Sequence, residues 1–90
     1  MTAERVAEIR RRLTEALEPE RLEVADESHL HRGHPGARDG RGHFRVRIRS
    51  AQLDRLSRLA RHRRIYAALG ELMDTDIHAL AIETDFDDES

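Results

Sequence analysis

The residues of this 90-residue chain best equipped for chemistry are its six histidines, His29, His31, His34, His43, His62 and His78. Imidazole changes charge near neutral pH, and in its neutral form it is the commonest protein ligand for a transition metal. His29, His31 and His34 fall in one stretch, residues 27–42, which also holds four of the five glycines and one of the two prolines. Other reactive side chains are scarce. Cysteine is absent, so the chain by itself has no disulfide, no thiolate nucleophile and no thiolate metal ligand. Ser28, Ser50 and Ser57 lie outside any glycine-framed nucleophile motif. The glycines of 33–42 do not follow the phosphate-binding pattern that opens a helix after a strand. Asp26 and Glu27 precede the histidines and could serve a hydrolytic metal, but no helix-borne His-x-x-x-His supports them. No enzyme chemistry is expected.

Charge narrows the classes further. Sixteen basic residues, all arginine, face eighteen acidic ones, for a net charge of −2. Strong nonspecific nucleic-acid binding normally rests on a basic excess. Arg61, Arg63 and Arg64 nevertheless form a short basic run. It reads as a solvated helix face with intrahelical ion pairs, as a partner surface where guanidinium forks meet carboxylates, or as a set of phosphate contacts. No apolar run approaches 18 residues and no signal-peptide pattern is present, so a soluble, cytoplasmic protein is expected.

The elements that must position these side chains follow from periodicity. Val6, Ile9, Leu13, Ala16 and Leu17 recur at helical spacing, with Thr2 as the expected N-cap and Pro19 as the stop. Arg10, Arg11 and Arg12 are expected to suit the helix dipole. Residues 21–26 alternate as a strand, and so do 43–49, where Phe44, Val46 and Ile48 point one way and Arg45, Arg47 and Arg49 the other. Residues 51–73 are helical in two pieces. The first carries Leu53 and Leu56; the second is capped by Ser57 and buries Leu59, Ile65, Leu69 and Leu72. Residues 77–83 form the last strand, with His78, Leu80 and Ile82 on one parity. By pattern alone His78 therefore reads as a core or edge residue, the loop histidines as solvated, His43 as an anchor of its strand with a place near the site as its second reading, and His62 as a packing or capping residue. One domain of residues 1–90 is expected, with a mobile loop at 27–42 that orders on complex formation and a frayed acidic tail at 85–90. The class is α+β, a three-stranded mixed sheet with helices on one face, whose last strand lies parallel to a neighbour.

The segments LEVADES, HFRVRI, RHRRIYAAL and IHALAI resemble, in order and spacing, those of BolA-like proteins, from about residue 4 to residue 84. The pair RHR and HALA, fifteen residues apart, is the most specific part. The resemblance implies a class II KH-like fold of order α-β-β-α-α-β. It implies a heterodimer with a monothiol glutaredoxin around a bridging [2Fe–2S] cluster, for cluster trafficking or iron sensing. The partner's active-site cysteine and glutathione would supply thiolates. This chain would supply His78 and a loop histidine, His31 counted from DES at 26–28 or His34 counted back from His43. The resemblance also implies a link to transcriptional control and stress response, leaving room for DNA contact through the arginine-rich helix and for a weak homodimer without the partner. A protein-interaction domain without metal is a third reading. Two departures stand out: Leu53-Asp54-Arg55 replaces a Phe-x-Gly turn, and a longer C-terminal extension is missing. The chemistry agrees with the resemblance in part. Two imidazoles replacing two thiolates on one iron raise its reduction potential. A cysteine-free chain needs a thiolate-bearing partner, and neutral imidazole ligands are lost as pH falls through roughly 6–6.5.

Overall fold

The computed structural model describes residues 2–28 and 42–84. Helix α1, Thr2–Leu17, buries Ile9, Leu13 and Leu17 at three- and four-residue intervals. Thr2 is its first helical residue, rather than the expected cap one position outside. The chain leaves α1 through Glu18, whose φ of 47° closes the last turn with a bond from its N–H to the Thr14 carbonyl at 3.1 Å. Pro19 then prevents continuation. The last turn of α1 holds no basic residue, so Arg10–Arg12 do not serve the dipole as expected. Arg11 pairs with Glu8 and Glu15. Arg12 bonds Glu8 and reaches the Leu69 carbonyl at 2.9 Å.

Strands β1, Arg21–Asp26, and β3, Ile77–Glu83, match the expected bounds, and β2, Gly42–Arg49, begins one residue early. The sheet order is β1-β2-β3. β1 runs antiparallel to β2 with Arg21 opposite Arg49, while β3 runs parallel to β2, the expected crossover geometry. Phe44, Val46 and Ile48 of the central strand are buried with Leu53, Ile65, Leu69 and the α1 residues. On the other face Arg45 pairs with Glu27 and Glu83, Arg47 with Glu23 and Glu83, and Arg49 with Glu20. The arginine face is therefore wet but neutralised by cross-strand partners.

The second helical region breaks into three pieces: α2, Ala51–Asp54; α3, Arg58–Leu69; and α4, Leu72–Thr75. Ser50 opens α2. Its hydroxyl accepts from the Gln52 N–H and donates to the Leu17 carbonyl. Arg55 ends α2 at φ −91°, ψ −2°, a right-handed conformation that requires no glycine. Leu56 falls beyond α2 and packs half-buried against the core. Ser57 caps α3, as expected, accepting from the Ala60 N–H at 3.1 Å. Leu59, expected to be buried, is 60% exposed. Six residues before Ile65, it lies about 120° around the helix from the core face. Gly70, with φ 56°, separates α3 from α4.

Candidate metal site

The site is built where β2 and β3 begin side by side. Parallel pairing brings Gly42 opposite Ile77 and His43 opposite Ala79. One residue of β3, His78, is therefore skipped in the register. A bulge of this kind re-aims the side chain it carries. His78 is exposed, although its parity predicts a place beside Leu80 and Ile82. The Gly42 N–H donates to the Asp76 carbonyl at 2.9 Å. A Cβ on Gly42 would come within 2.6 Å of the Phe44 ring and 2.9 Å of Ser28 Oγ, so only glycine fits beside the bulge.

His43 is 8% exposed. Its N–H donates to Ser28 Oγ at 3.0 Å, and its carbonyl accepts from the Glu27 N–H at 2.7 Å. Ser28 is itself fixed by a bond from its N–H to Asp26 Oδ1 at 2.7 Å. The ring centroids of His43 and His78 lie 5.1 Å apart, with the planes inclined by 51°. His43 thus anchors its strand, as its position predicts, and also presents a second imidazole to His78. A pocket of about 300 Å³ opens here, lined by Glu27, His43, Ala79 and Ala81 among others. The carboxylate of Glu27 is taken up by Arg45 at 2.8 Å.

His31 and His34, the two expected loop ligands, lie outside the described residues, as do His29, most of the loop read as mobile and the acidic tail. Among the described residues no group of three or more histidines, aspartates or glutamates could hold a metal ion. A pair of imidazoles needs further donors to complete a metal's coordination. The signal that could have found His43 was topological: parallel strands starting at residues 43 and 77 bring their first side chains together.

The arginine run divides. Arg61 is spent on the fold: Nε donates to the Leu53 and Leu56 carbonyls, and its terminal nitrogens reach Asp54 O and Thr84 Oγ1. It closes the C-terminal end of α2 and ties α3 to the end of β3. Arg64 donates to Gln52 Oε1 at 2.9 Å, and Arg63 is exposed on α3. His62 is half-buried, and with Arg58, Arg61 and the end of β3 it lines a polar pocket of about 330 Å³.

A three-stranded mixed sheet with helices on one face, in the order helix-strand-strand-helices-strand, is the arrangement of solved BolA domains. The family pattern "BolA-like protein" matches residues 13–89, and the chain belongs to that family. It is 51% identical over 77 residues, 83% of each chain, to the "Uncharacterized protein in cobS 5'region" of a Sinorhizobium species. Against human BolA-like protein 1 identity is 47% over 86% of this chain, which spans 54% of that relative. Against the DNA-binding transcriptional regulator BolA of Haemophilus influenzae identity is 35%, covering 82% of this chain and 69% of that one. Among solved structures, the BolA domain of SufE1 from Arabidopsis thaliana aligns with a TM-score of 0.79 at 40% identity, covering 89% of this chain and 88% of that one. No helix among the described residues is long and apolar enough to cross a membrane.

Proposed function

We propose that this protein holds a [2Fe–2S] cluster jointly with a monothiol glutaredoxin and its glutathione, as cargo for cluster trafficking or as a sensor of iron status. The observation that carries the reading is the exposed His78, turned out at a bulge beside the imidazole of His43. The connector carrying His31 and His34 is anchored at both ends beside this pair, at Ser28 and Gly42. This chain supplies neutral nitrogen donors and the partner supplies thiolates, the division that a cysteine-free chain requires. When bound, the cluster would supply iron–sulfur redox and transfer chemistry. The protein's part is to orient His78 and to keep one imidazole edge accessible. Mixing the protein with a monothiol glutaredoxin, glutathione, iron and sulfide is expected to give the visible absorption and circular dichroism of a histidine-ligated cluster. His78→Ala is expected to abolish or shift those bands; an unchanged spectrum removes His78 as a ligand.

A second reading, a DNA-binding regulator, is favoured by the Haemophilus relative's name and by the outward Arg63 on α3. Phosphate contacts by Arg63 predict an affinity that falls with salt and a shallower salt slope in Arg63→Ala. A slope near zero in the native protein discards it.

A further inference from the structure

We propose that the pocket between the first turns of α3 and the end of β3 binds a small organic anion, whose carboxylate or phosphate group is held by Arg58 and His62. The proposal is independent of the metal reading. The pocket is lined by Arg58, Arg61, His62, Ile82 and Thr84, together with Glu83. It lies toward the opposite end of β3 from His78, with Ile82 four residues, about 13 Å, further along the strand.

The first support is the arrangement of charge. Helix positions i, i+3 and i+4 share one face, so Arg58, Arg61 and His62 gather on one side of α3. The helix itself, RLARHRRIYAAL, holds no aspartate or glutamate to answer them. Arg61 is committed to the carbonyls of Leu53, Leu56 and Asp54 and to Thr84 Oγ1. Arg58 and His62 are not committed: neither makes a hydrogen bond or ion pair among the described residues. Glu83, the acidic residue of the lining, is engaged by Arg45 and Arg47 across the sheet. The pocket is therefore left with donors and no free counter-charge. An oxyanion entering it gains charge-assisted bonds from the Arg58 fork, and an imidazole N–H donates in either protonation state of His62.

The second support is the shape and chemistry of the walls. The volume of about 330 Å³ is at the lower end for small-molecule sites, about 300–1,000 Å³. Half-buried Ile82 sets an apolar wall beside the cations, a surface that suits a carbon skeleton and gives a bare inorganic ion nothing. Thr84 Oγ1 accepts from Arg61 at 3.1 Å, which leaves its O–H as a further donor. Arg63, on which the DNA reading rests, is not in the lining, so the pocket is a different surface.

The test titrates the full chain at constant ionic strength and follows it by heteronuclear NMR. The probes are citrate for a carboxylate, glycerol 3-phosphate for a phosphate ester, inorganic phosphate for the bare ion, and a short DNA duplex. Saturable shifts confined to Arg58, Arg61, His62, Ile82 and Thr84 are expected with one of the two organic probes, and that probe identifies the source of the oxyanion. Arg58→Gln is expected to weaken its binding on the order of tenfold, the loss of one charge-assisted contact. His62→Gln is expected to act in the same direction. Arg63→Gln removes the same charge from the same helix outside the pocket and is expected to leave the affinity nearly unchanged. Far-UV circular dichroism checks that each variant is folded. Shifts that do not saturate, or an equal loss in Arg63→Gln, would reduce the effect to diffuse charge and overturn the site. Inorganic phosphate binding as tightly as both organic probes overturns the organic ligand, and a DNA duplex saturating the same residues at lower concentration reassigns the pocket to nucleic acid.

Discussion

At the scale of single residues, several side chains here do two jobs through atoms that sequence patterns treat alike. Ser50 is fully buried. Its one hydroxyl caps α2 and donates to the Leu17 carbonyl at 2.6 Å, at the end of α1. Ser50→Ala removes the cap and leaves a carbonyl at a buried position without this donor. The expected loss is about 2 kcal/mol, the sum of a lost N-cap and an unmet acceptor. A urea unfolding midpoint shifted down at unchanged slope is the readout; a shift worth less than about 0.5 kcal/mol contradicts this role. Arg61 behaves similarly. A charged residue in a basic run reads as surface, yet its guanidinium satisfies three main-chain carbonyls around the α2–α3 turn. His43 shows the same economy, with its backbone bonded to the end of β1 and its ring turned to His78.

At the scale of elements, what positions the site is the junction of β1, β2 and β3 rather than any one of them. Alternation placed β1 and β3 correctly because each has one face on the core, and a slip of one residue would expose every apolar side chain. The bulge at His78 is different in kind. It is a shift of register between β2 and β3, so the sequence of β3 alone does not reveal it. Gly42, with no room for a Cβ between Phe44 and Ser28, is the local mark of that close approach. The helices show the same division. Ser57 is readable as a cap because its chemistry is local. The exposure of Leu59 and the separation of α4 at Gly70 depend on which face of α3 meets α1 and the sheet.

At the scale of the whole molecule, charge pairing links distant parts of the chain. Arg5 of α1 bonds Asp76 just before β3 at 3.0 Å. The bonds of Arg11 and Arg12 hold the Glu8 carboxyl down from 4.5 to about 2. Asp76 is also held below its ordinary value, first by the Thr75 hydroxyl and then by Arg5. Both are carboxylates depressed in the folded state. Their stabilisation is therefore complete above the ordinary carboxylate range and is lost as pH falls, for Glu8 between 4.5 and about 2. Stability measured by urea unfolding is expected to be level in this respect at neutral pH and to decline below that upper bound. Glu8→Gln is expected to make the decline shallower, and an identical acid profile in that variant contradicts the linkage. These groups are only half-buried and screened by solvent, so the effect on stability at neutral pH is small.

The sequence by itself determined the α+β class, the bounds of the outer strands, the parallel return of β3, the arginine face and the family, because each depends on periodicity or on motifs local in the chain. It also made His78 a candidate, through the resemblance carried by IHALAI. Only the tertiary structure decided that His78 faces outward, that His43 is its neighbour and that Arg61 belongs to the fold. The physical reason is common to all three. Each depends on how one strand or helix registers against another, and that register is set by packing and close approach across the sheet, not by the residues on either side in sequence.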